Sequence, residues 1–125
     1  MQQNMNTSVK TFQILQEYLK DLEKEKTTIQ TTYYKIKNIN TTLIAKIKNY
    51  REKLDTYNNR ISFIKLLNHS SSTFIILHSL SFSNDLKKIE NEYNQNTNFC
   101  KILKKKLSNI LINITKTKLK LIIQS

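Results

Sequence analysis

From Phe12 onward, apolar residues return after three and then four positions: Phe12, Leu15, Leu19, Leu22, Ile29, Tyr33, Ile36, Leu43, Ile47, Tyr50, Leu54, Tyr57, Ile61 and Ile64. Lys26 and Asn40 occupy the two remaining steps of this ladder. A repeat averaging 3.5 residues keeps one face of an α-helix against a partner helix. A strand would alternate every second residue. The pattern predicts a first helix over about 8–67, with Thr7 or Ser8 as its N-cap and residues 1–6 frayed.

The ladder breaks at Asn68-His69-Ser70-Ser71-Ser72-Thr73, which has no aliphatic side chain. Ser and Asn there bond their local backbone in competition with helix, so a loop is expected over 68–73. A second ladder follows: Phe82, Leu86, Ile89, Tyr93, Asn96, Cys100, Leu103, Leu107, Ile110, Ile114, Thr117 and Leu121. It predicts a second helix over about 74–123, with a recapped start at Ser83 beside Asp85 as the alternative. Two such helices joined by a short loop form an all-α, two-helix antiparallel coiled-coil hairpin in one domain. The register proposed from the two ladders pairs Ile61 with Phe82, Tyr57 with Leu86, Leu43 with Cys100 and Asn40 with Leu103. It also pairs Lys26 with Thr117 and Leu22 with Leu121. Asp21, Glu23 and Glu25 then lie opposite Lys116, Lys118 and Lys120, where they disfavour other alignments.

Composition agrees with long helices. The 125 residues include no Gly, Pro or Trp, so helix breakers and Gly-rich phosphate loops are both missing. The hydrophobic fraction of 38% suits a seam better than a thick core. Net charge is +12, which admits nucleic acid or an acidic membrane as a partner. Most of the basic residues are Lys, however, with Arg only at Arg51 and Arg60. The abundance of Ile, Lys and Asn is also what AT-rich coding imposes. More than half of the excess is assigned to that bias and to solvated helix faces. One cysteine, Cys100, allows no internal disulfide and favours a reducing, intracellular setting. Met1–Ser8 has no apolar signal core, and Phe74–Phe82 is too short to span a bilayer, so a soluble protein is expected.

No catalytic, cofactor or metal constellation is visible, and the chain reads as non-enzymatic. His69 and His78 read as loop or surface histidines, and Cys100 as a small seam hydrophobe. Glu17, Asp21, Glu23 and Glu25 read as a solvated face. Lys101, Lys104, Lys105 and Lys106 have no acidic counterpart and form a candidate basic patch. Tyr33, Tyr34, Tyr50, Tyr57 and Tyr93 are bulky, amphipathic rings suited to interfaces. Phe74-Ile75-Ile76-Leu77 exceeds what a two-helix seam covers and suggests a docking site near the turn.

This layout resembles the flagellar FliJ family, small coiled-coil proteins of the type III export apparatus. The resemblance is carried by Phe12-Gln13-Ile14-Leu15, by Leu43 to Leu54 with Tyr50 inside it, by Phe74 to Leu80, and by the Lys-rich end. It departs where Leu54 stands in place of a second Tyr and where Trp and Arg are missing from the second helix. The resemblance implies a cytoplasmic stalk or chaperone-escort protein, peripheral at the inner face of the cell membrane. Its partners would be the export ATPase ring, a membrane export gate protein and export chaperones. It further implies partner-binding residues Ile47, Tyr50 and Leu54, with Phe74, Leu77 and Leu80 beside them. The seam reading buries the first three. Two other expectations follow from the residues alone: a basic helical protein associated with nucleic acid or ribosomes, and a structural coiled-coil subunit of another complex.

Overall fold

The fold is seen in a computed structural model, which describes the backbone over 2–67 and 72–124 and the side chains over 8–63 and 76–124. It is all-α: helix α1 (Gln2–Leu67) and helix α2 (Ser72–Gln124) pack against each other. The helices are longer than the sequence suggests. Thr7 and Ser8 lie inside α1 rather than capping it, because nothing in 2–7 breaks a helix and each added turn gains backbone bonds. Ser72 and Thr73, expected in the loop, open α2, and α2 runs through Ser83 without a recapped start. The remainder of the expected loop, including His69, lies outside the described residues.

The contacts form two units. One comprises Met1–Lys35 with Phe99–Ser125, the other Ile36–Asn98. In the first, Leu22 and Ile29 of α1 and Leu103, Ile110, Ile114 and Thr117 of α2 are buried. In the second, the buried residues are Asn40, Leu43, Ile47, Ser79 and Leu86. All except Ser79 are steps of the two ladders, and Ser79 continues the second ladder by one step. Every other ladder residue among those described is half-buried. The 3.5-residue repeat therefore selected the core of each unit.

Polar residues enter these helices at low cost because their groups find local partners. The Thr27, Thr28, Thr31 and Thr32 hydroxyls donate to the carbonyls four residues back, at 2.8–3.0 Å. Buried Thr117 does the same to Asn113 O at 2.7 Å, so its methyl can pack as a hydrophobe. Ser79 Oγ donates across the helix pair to Asn58 Oδ1 at 3.3 Å.

Both units are antiparallel, but the register differs from the proposed one by about a heptad. Phe82, expected beside Ile61, has its ring against Tyr57 and Tyr50, at centroid distances of 5.3 and 5.5 Å. Tyr57, expected beside Leu86, also stacks with His78 at 6.3 Å. Asn40, expected opposite Leu103, donates from Nδ2 to Tyr93 O at 3.4 Å and Thr97 Oγ1 at 3.2 Å. In the first unit, Lys104 Nζ lies 5.7 Å from the centre of the Tyr33 ring, whereas continuing the proposed pairing seven residues beyond Asn40–Leu103 would set Tyr33 beside Ile110. Two apolar ladders with one period fit almost as well after a seven-residue slip. A buried amide does not, because it needs hydrogen-bond partners. The observed slip places Asn40 at the level of Asn96 and Thr97, and Leu43 at the level of Tyr93.

The proposed charge device is also absent. Among the described residues, no ion pair joins Asp21, Glu23 or Glu25 to Lys116, Lys118 or Lys120. An ion pair does form across the helices from Arg51 Nη2 to Glu90 Oε1 at 2.9 Å.

Candidate interaction surfaces

In the second unit, the α1 stretch suggested as a partner face is largely committed to the helix pair. Ile47 is only 8% exposed. Tyr50 and Leu54 are half-buried, and the Tyr50 ring meets Phe82. The seam spacing that aligned these residues also turned them toward α2. What they leave at the surface is a groove of about 530 Å³ beside Ile47, lined also by Ile44, Arg51, Glu90 and Tyr93. Arg51 and Glu90 bridge it through their ion pair. Ile44 is exposed and supplies the apolar wall that a partner would meet in place of Ile47.

The α2 side chains suggested near the turn fare differently. Leu77 is 60% exposed and Leu80 is exposed beside it, because neither lies on the ladder. The side chain of Phe74 lies outside the described residues. On the same stretch of the helix pair, the rings of Tyr57, His78 and Phe82 form a cluster, with Lys53 Nζ 5.8 Å from the Phe82 centroid. Such a cluster fixes the helix pair locally.

In the first unit, the basic patch is exposed at all four lysines but points in several directions. Lys101 and Lys105 are four residues apart and share the outward side of α2. Lys104 and Lys106 flank the seam, and Lys104 is drawn over the Tyr33 ring. Tyr34 packs edge-on against Tyr33 at 5.5 Å and is itself exposed. Consecutive residues on a helix turn about 100° apart, so a run of three lysines cannot present one flat phosphate-binding face.

The sequence reading missed a second set of surface residues: Ile14, Phe63, Phe99, Ile102, Ile112, Leu119, Ile122 and Ile123 are large, apolar and exposed. Their signal was present, as apolar residues that fall off the 3.5-residue ladder. Among the described residues, no group of three or more His, Cys, Asp or Glu side chains is placed to hold a metal ion. No helix is long and apolar enough to cross a membrane, again among the described residues. Cys100 is a free, half-buried thiol. No family model, curated protein or solved structure matches this chain.

Proposed function

We propose that this protein is a non-catalytic coiled-coil adaptor that presents exposed off-seam side chains to protein partners. The observation that carries this reading is the division of apolar residues into two classes. Ladder residues close the helix pair, while Leu77, Leu80 and Ile44 remain exposed at the surface. Scattered exposed leucines are ordinary, but two exposed leucines three residues apart on one side of a helix form a compact anchor.

In its finer form, the reading follows the FliJ resemblance. The protein is then a cytoplasmic stalk or escort component of the flagellar export ATPase complex, held at the inner membrane face by a gate protein. Support comes from the antiparallel two-helix architecture and from exposed Leu77 and Leu80 in the segment that carries part of the resemblance. Ile47 no longer belongs to the partner face in this proposal. Tyr50 and Leu54 take part only through their outer edges, and Ile44 joins them.

The test is a pull-down with the purified export ATPase of the same source, nuclease-treated and at physiological salt, with ATPase activity measured in parallel. Retention with raised activity is expected, and Leu77→Ser/Leu80→Ser should reduce it. No retention and no stimulation would remove the export assignment. The nucleic-acid alternative predicts something else: binding that falls steeply with salt, as counterion release by several lysines requires.

A further inference from the structure

The last turns of α2 are apolar on two opposite sides. Ile110, Ile114 and Thr117 face α1 and are buried. Ile112, Leu119 and Ile123 lie on the other side, at 52%, 54% and 81% exposure, with Ile122 next to them at 69%. Spacings of seven and four residues put Leu119 and Ile123 over Ile112 on a single stripe. Three lysines, Lys116, Lys118 and Lys120, border the stripe, and all are exposed. From Tyr93 to Ser125 the sequence contains no Asp or Glu.

Three occupants could cover an exposed apolar stripe: a second copy, an acidic protein or a lipid surface. Charge disfavours the second copy, since pairing two such faces would bring together lysines on a chain of net charge +12. An acidic helix would need its carboxylates placed against Lys116, Lys118 and Lys120 one by one, whereas a bilayer supplies anionic headgroups wherever these lysines reach. This stripe offers aliphatic side chains in a line with long, flexible lysines at its borders. That arrangement suits an anionic bilayer, whose headgroups take ammonium groups while its acyl boundary takes aliphatic ones. Lysine stems also lie along apolar surface and keep their charge at headgroup level.

We propose that the outer face of α2 over Ile112–Ile123 is a docking surface for anionic lipid membranes, with α2 lying in the interface rather than crossing it. The helix pair is retained on docking because Ile110, Ile114 and Thr117 use the opposite side. This inference is independent of the export reading. A bilayer site in the isolated chain and an ATPase site in a complex are measured separately.

The experiment is co-sedimentation of the full chain with vesicles of phosphatidylcholine alone and of phosphatidylcholine mixed with phosphatidylglycerol. Binding to the mixed vesicles and little to the neutral ones is expected. Leu119→Ser/Ile123→Ser should weaken binding roughly tenfold or more, through lost aliphatic burial. Lys116→Gln/Lys118→Gln/Lys120→Gln should weaken it on the order of 100-fold. Both variants alter exposed residues, and circular dichroism should show unchanged helix. Binding that follows charge but ignores Leu119 and Ile123 would overturn the proposal, since a mere polycation would behave that way. So would absence of vesicle binding, or a dimer in light scattering that Leu119→Ser/Ile123→Ser converts to monomer.

Discussion

Replacing Asn40 with leucine tests the account of register most directly. Asn40 is buried in the second unit, where Nδ2 has two acceptors on α2 and Oδ1 has no hydrogen-bond partner among the described residues. A slip by one heptad would set its amide at the layer of Leu103, with Lys104 in place of the Thr97 hydroxyl, and so remove its side-chain acceptor. An unsatisfied buried polar group costs about 1–3 kcal/mol. That difference disfavours the slipped alignment by roughly 5- to 150-fold, enough to choose between two ladders of equal period. Asn40→Leu removes both the orphan Oδ1 and the need for partners, and adds an apolar side chain whose full burial contributes about 1.5–3 kcal/mol. The variant should therefore gain about 1–3 kcal/mol in urea denaturation and lose uniqueness of register, the trade expected of a polar seam residue. Register can be read by disulfide trapping under mild oxidation. Leu43→Cys/Tyr93→Cys in a Cys100→Ser background should cross-link in the observed alignment. Leu43→Cys with native Cys100 should cross-link poorly, and addition of Asn40→Leu should raise its yield. If Asn40→Leu leaves both yields unchanged, or destabilises the chain by more than about 1 kcal/mol, Asn40 is not what sets the register.

Other substitutions probe the two units separately. Phe82→Ala should destabilise by about 2–4 kcal/mol, because the ring contacts Tyr50 and Tyr57 while remaining half-buried, and the shift in urea midpoint measures it. Leu22→Ala should cost about 2–4 kcal/mol in thermal or urea unfolding, whereas Leu77→Ala should stay within about 0.5 kcal/mol, since only Leu22 is buried. A double-mutant cycle on Arg51→Ala and Glu90→Ala should give a coupling below about 1 kcal/mol that shrinks with added salt, because the guanidinium side is 63% exposed. A coupling several times larger would mean that the groove beside Ile47 is drier than its open form indicates.

Function was less legible than fold, and the reason lies in which contacts a period can encode. A ladder residue declares its own fate, since a side chain on the seam is covered wherever the partner helix begins. A surface residue declares only that it is not on the seam. Leu77, Leu80, Ile112 and Leu119 could be recognised as off-ladder positions, yet their grouping into stripes depends on the helix staying continuous around them. The residues Ile47, Tyr50 and Leu54 show the opposite case. Read by resemblance they face a partner; read by period they face α2, and the structure follows the period for Ile47.

The amino-acid sequence alone determined the helical class, the two-helix division and the identity of the core, because a 3.5-residue repeat is a property of one chain in isolation. Leu22, Ile29, Leu43, Ile47, Leu103, Ile110 and Ile114 needed no partner to be assigned inward. The tertiary structure decided the register, and with it which rings meet and where the Arg51–Glu90 ion pair forms. Apolar contacts are non-directional and repeat every heptad, so they leave alignments seven residues apart nearly degenerate. The hydrogen bond from Asn40 to the Thr97 hydroxyl is directional and depends on one side chain, which a seven-residue slip would replace with Lys104.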